Sequence, residues 1–180
     1  QNWMHLFISH KDTKNPIDAM NIVDSLNAQK NLEHHDLLES YLTYKILFKS
    51  LIKFFLLIIK TITFGNPEKI FTLEKNKISV WQYFSKDYFS SVIGPHAVKN
   101  ILIYFCIDSA ISNLPTQKKG LYLCEDQPWE KVLISSWKKY KHGELIAVLH
   151  SPNLRYWDIF NFYPDNFYNE NIDIPKPDKV

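Results

Sequence analysis

The sequence predicts an α/β protein with a central parallel sheet and flanking helices. Three observations carry this. A short apolar run at Lys119–Cys124 is followed by a helical pattern and then by a second apolar run at Glu144–Leu149, the signature of a βαβ unit. The opening run Trp3–Ile8 is likewise followed by a helix start. With 46% hydrophobic and 22% charged residues in 180, the chain can bury a real core.

The elements follow in order. Residues 3–9 read as a strand. Asn15-Pro16 opens a helix through residue 29, with Ile17, Met20, Val23 and Leu26 on one side. A long helix is expected from Asp36 to Thr63. Its apolar stretch looks like a membrane span but is interrupted by Lys45, Lys49, Lys53 and Lys60, which share a stripe roughly 80° wide. It reads as an amphipathic core helix with a solvated lysine ridge, membrane-surface docking through helix 36–63 being the second reading. Residues 68–93, aromatic and irregular, are expected to form short strands or turns between the breaks at Gly65-Asn66-Pro67 and Gly94-Pro95. A helix spans His96 to Asn113, stopped by Pro115.

Lys119–Cys124 and Glu144–Leu149 are predicted to be buried strands. Between them Asp126 stands as candidate N-cap, Pro128 falls in the first turn, Trp129, Val132, Leu133, Ser136, Trp137 and Tyr140 recur at helical spacing, and Gly143 stands where a C-cap would. The closing run Ile174–Val180, with two prolines, reads as a linker whose Val180 opens a further strand. The organisation expected is one domain over 1–173 and a linker at 174–180. Because the chain opens on Gln1 directly into an apolar run, sequence is expected on both sides.

Composition also excludes. A net charge of +2, from 21 basic and 19 acidic side chains, argues against a nucleic-acid partner. Two cysteines, Cys106 and Cys124, both in apolar runs, exclude a disulfide scaffold and a cysteine-built zinc site and fit a reducing, cytoplasmic setting. Four glycines leave no phosphate-cradling loop. Glu33-His34-His35-Asp36 has metal-binding residue types, but adjacent helical residues point about 100° apart, so no metal site is expected there.

In an open parallel sheet, ligands bind beyond the carboxyl ends of the strands. Glu125 follows one predicted strand, and His150-Ser151 follows the other. Adjacent strands lie about 4.8 Å apart, so a carboxylate and an imidazole would face one crevice and could serve as acid and base. Glu125 as a helix cap and His150 as a buried structural histidine are the competing readings. The backbone N–H groups at Gln127–Glu130 would favour an anion such as a phosphate. Trp129 and Trp137 fall on the apolar face, which favours core. In the loop after His150, Arg155 could meet a phosphate, and Trp157 could stack a sugar ring beside Asp158, or these residues could simply pack the loop down.

The stretches Gly94–Leu102, Leu114–Glu130, Trp137–Gly143, His150-Ser151 and Arg155–Asp158, with Asn2–His5 and the helix from His35 to Lys53, resemble a family of bacterial surface carbohydrate biosynthesis proteins; the likeness is densest from 94 to 158, and Glu125-Asp126-Gln127-Pro128-Trp129-Glu130 is its most specific part. After the histidine the family pattern is nearer His-Ser-Thr-Val-Arg, so this chain has one residue more before Arg155. The resemblance implies a glycosyltransferase-like architecture of two facing Rossmann-like domains, of which this chain would be the acceptor-side half. It implies transfer of a sugar from a nucleotide-sugar to a glycan or lipid-linked acceptor at the inner face of the cytoplasmic membrane. The catalytic residues would be Glu125 and His150. Gln127, Trp129, Glu130, Ser151, Arg155, Trp157 and Asp158 would contact substrate. No metal or resident cofactor is expected in this piece, which would be inactive without its donor-binding half. A sugar-nucleotide epimerase or hydrolase on the same scaffold, and a non-catalytic membrane-peripheral or partner-binding module, are the alternatives.

Overall fold

The computed structural model describes residues 1–11, 13–29, 32–73, 77–125, 127–149 and 175–180. The protein is mixed α/β; the described residues form five α-helices and short strands paired mostly in parallel. It divides into two compact units, one made of Gln1–Tyr41 and Cys106–Val180, the other of Leu42–Phe105.

The first unit contains two βαβ segments. In the first, β1 (Asn2–His5) pairs in parallel with β2 (His34–Leu37), with Trp3 opposite His35 and His5 opposite Leu37. The crossover is α1 (Pro16–Ala28), which starts as the sequence predicts: Pro16 fills the first turn, and the Asn15 side chain accepts from the N–H groups of Ile17 and Asp18. Asn27, on the last turn, extends the edge of β2. Its amide donates to the His35 carbonyl and accepts from the His35 N–H, both at 2.8 Å.

The expected helix from Asp36 does not begin there. His34–Leu37 is a strand, Leu38–Tyr41 is one 3₁₀ turn, and the helix, α2, runs from Tyr44 to Thr63. The start is set by Thr43, whose hydroxyl accepts from the Ile46 N–H. On a strand, His34 and His35 point to opposite faces, so the argument against a metal site from helical angles does not apply to them.

The second unit holds α2, a 3₁₀ helix at Pro67–Phe71, a minimal antiparallel hairpin of β3 (Thr72–Leu73) and β4 (Ile78–Ser79), then α3 (Trp81–Val92) and the start of α4 (Pro95–Asn113). Turns or strands were expected over 68–93, yet α3 is regular helix. Its aromatic residues form one cluster with Phe71: the Phe71 ring lies 5.4 Å from Trp81, 5.8 Å from Phe84 and 6.1 Å from Tyr88. That packing outweighs the modest helix propensity of aromatic residues.

The second βαβ segment matches the expectation most closely. β5 (Lys119–Cys124) and β6 (Glu144–Leu149) pair in parallel through all six residues, from Lys119 opposite Glu144 to Cys124 opposite Leu149. Helix α5 (Pro128–Lys139) connects them. Its inward residues Ile134 and Trp137 are buried, as are Tyr122 and Cys124 on β5 and Leu145 and Ala147 on β6. The strands are buried on one side only, since Leu121, Leu123 and Val148 are exposed on the other; alternation at period two, not the apolar run, decides this. Gly120 lets the Trp137 indole approach the strand, for a Cβ there would meet the ring at 2.6 Å. Beyond α5 the left-handed residue is Lys141, with φ 57°, rather than the expected Gly143. Gly143 instead lies against the Lys118 carbonyl and accepts the Trp137 indole N–H at 2.6 Å.

The closing residues extend this sheet. Lys179 forms a parallel bridge with Ile146, the Leu145 N–H donates to the Asp178 carboxylate at 2.8 Å, and Lys179 pairs with Glu144 at 2.6 Å. The residues expected as a linker are thus held against β6 at 178–179. Helix α4 is tied to α5 through Asp108, whose carboxylate accepts from Lys139 Nζ at 2.8 and 3.1 Å and from the Tyr140 hydroxyl at 3.1 Å.

Candidate active site at the β5–β6 edge

Cys124 opposite Leu149 is the last pair of this ladder, so both strands end at one level, and Glu125 follows at the carboxyl edge of β5. Glu125 is half-buried there. His150, Ser151, Arg155, Trp157 and Asp158 lie outside the described residues, as does the candidate cap Asp126.

The turn from β5 into α5 is built around Glu130, which is fully buried. Its Oε1 accepts from the N–H groups of Glu125 and Gln127, each at 2.8 Å. Gln127 occupies the N-cap position, so this is the returning half of a capping box, with the glutamate three residues into the helix. Gln127 itself is exposed. Oε2 of Glu130 meets no hydrogen-bond partner among the described residues.

This arrangement changes the expectation of an anion seat at Gln127–Glu130. The Gln127 N–H is already held by the chain's own carboxylate, Pro128 has no N–H, and the Glu130 N–H donates to the Gln127 carbonyl. The Glu130 side chain thus takes one of the N–H groups expected to receive a phosphate. Trp129 is half-buried with its ring edge-on to Tyr122 at 6.1 Å, a packing contact. The turn therefore fixes where Glu125 leaves the strand, and Glu130 does the fixing.

A second group of polar residues escaped sequence reasoning. His5 Nε2 and His35 Nδ1 lie 3.0 Å apart, with ring planes within 11° and centroids at 5.3 Å. The centroid distance exceeds the N–N distance by about the two ring radii, so the imidazoles meet edge to edge and share one N–H···N bond. Glu33 reaches within 3.7 Å of the other nitrogen of His35. Burial, and then His35, hold the His5 pKa below its ordinary 6.5. On the opposite face of β2, Asp36 accepts the Tyr41 hydroxyl at 2.9 Å; burial first and then this bond push the Tyr41 pKa up to about 12. The signal for the pair was alternation in His34–Leu37, hidden once those residues were read as helix.

Among the described residues no three His, Cys, Asp or Glu side chains gather as metal ligands. Cys106 and Cys124 are buried free thiols, and burial raises the Cys106 pKa. A shallow depression of about 370 Å³ lies at Asn66, Glu68, Lys69 and Thr72 and holds none of the predicted site residues. No single helix among the described residues is long and apolar enough to cross a membrane; α3 and α4 reach that composition only as a pair bent by 44°.

No protein-family model, no curated protein and no solved structure matches this chain.

Proposed function

We propose that the chain is part of a protein of surface polysaccharide biosynthesis, a Rossmann-like half of a glycosyltransferase-like enzyme, and that its chemistry sits where β5 and β6 end. The observation that supports this reading is the parallel register ending at Cys124 opposite Leu149, the two strand ends that Glu125 and His150 follow in the sequence. The sequence resemblance over 94–158 supplies the reaction class. An acceptor hydroxyl loses its proton to His150 or Glu125. The oxygen then bonds to the anomeric carbon of a nucleotide-sugar, the bond from that carbon to the phosphate oxygen breaks, and a nucleoside diphosphate leaves. Glu125 and His150 are the catalytic residues, with Gln127, Trp129, Ser151, Arg155, Trp157 and Asp158 around the substrate. Since Glu130 holds the turn from within, its contribution is to the placement of Glu125.

Product analysis tests the reading. The full-length protein is incubated with a panel of nucleotide-sugars and with a glycan or lipid-linked acceptor. Free nucleoside diphosphate with a glycosylated acceptor is the expected result. An isomerised nucleotide-sugar, or a free sugar released to water, would replace transfer by epimerisation or hydrolysis.

A further inference from the structure

Helix α2 carries Lys45, Lys49, Lys53 and Lys60 and no aspartate or glutamate. At 100° per residue its circumference divides into three faces. One is turned inward, with Ile46 and Ser50 buried and Phe54, Leu57 and Ile58 half-buried. The second is apolar and turned outward: Phe48, Leu51, Ile52, Phe55, Ile59 and Ile62 are each between 47% and 74% exposed. The third is the lysine flank, directly beside the outward apolar face. None of the four lysines is ion-paired with a described residue. Over 20 residues the outward face is about 30 Å long, far larger than the scattered apolar side chains of an ordinary surface.

We propose that this face lies flat on an anionic lipid bilayer. The six apolar side chains enter the boundary between headgroups and acyl chains, and the lysines reach the lipid phosphates alongside. Charge selects this occupant. A second copy of the helix would bring four more lysines and no acid to neutralise them, and a neutral apolar partner leaves the basic flank without a counterpart. An anionic membrane answers both faces at once. The helix lies in the interface rather than across it, because its lysines recur along its whole length.

Co-sedimentation with vesicles provides the test, comparing phosphatidylcholine mixed with phosphatidylserine against phosphatidylcholine alone, at low and high salt. The protein should pellet with the mixed vesicles and dissociate as salt rises. Each basic residue at such a surface is worth about fivefold in partitioning, so Lys45→Gln/Lys49→Gln/Lys53→Gln should weaken binding on the order of a hundredfold. Phe48→Ser/Phe55→Ser should remove it, and Phe55→Trp should give a blue-shifted emission only with mixed vesicles. All these positions are exposed, so circular dichroism should be unchanged. The proposal is overturned if folded wild-type protein ignores the mixed vesicles, binds both kinds equally, or instead forms a dimer that Phe48→Ser/Phe55→Ser dissolves.

Discussion

Replacing Glu130 separates two contributions to the turn beneath Glu125. In Glu130→Ala the N–H groups of Glu125 and Gln127 both lose their acceptor, at 2.8 Å each, and a fully buried side chain disappears. Bonds to a charged group contribute about 1.5–3 kcal/mol apiece. Gln127 is exposed, so water replaces its lost acceptor, and only the Glu125 N–H pays heavily. The net cost should be roughly 2–4 kcal/mol once the lost packing is included. Glu130→Gln keeps an acceptor in the same place without the charge and should cost about 1 kcal/mol. Urea unfolding followed by tryptophan fluorescence gives both values, and amide exchange at Glu125 localises them. Glu130→Ala within about 0.5 kcal/mol of wild type, or Glu130→Gln as costly as Glu130→Ala, would show that the Glu130 carboxylate does not hold the turn.

Gly120→Ala should cost about 1–3 kcal/mol, because the new methyl would meet the Trp137 ring and Leu145; the added cost should shrink in a Trp137→Leu background, as a double-mutant cycle on thermal unfolding would show. Lys139 is held above its ordinary pKa, first by its hydrogen bond to Asp108. That stability is fully present below the unfolded lysine value of about 10.4 and lost as pH rises beyond it. Asp108→Asn should therefore flatten the alkaline limb of a stability profile. His5 is shifted the other way. Its stability is present above the unfolded histidine value of 6.5 and lost as pH falls through the lower folded one, so acid should loosen β1–β2 and His5→Gln should remove that slope in the unfolding midpoint below pH 6.5.

The βαβ segment from Lys119 to Leu149 was legible because its signals agree: apolar runs of strand length, a proline in the first turn and helical spacing of Trp129, Leu133 and Trp137. Where the structure departs from expectation, a longer-range contact decided. Residues 36–41 continue an apolar pattern into α2, but parallel pairing with β1 makes His34–Leu37 a strand, and only Thr43 marks the true start. The helical spacing of Trp81, Phe84 and Tyr88 was present in α3, masked by the strand preference of aromatic residues and resolved by packing on Phe71. At the site, the sequence showed that Glu125 follows a strand, not that Glu130 folds back beneath it. A capping glutamate and a substrate-binding glutamate look alike until burial separates them.

The proposed sugar transfer rests on Glu125 and His150, which follow neighbouring parallel strands in the sequence, acting together. It is tested most directly by turnover of the full-length protein against Glu125→Gln, His150→Ala and the double variant, under saturating nucleotide-sugar. Each single variant should lose about 10²–10⁴ in turnover, and the double should lose less than the product of the two. Wild-type turnover in both single variants would contradict it.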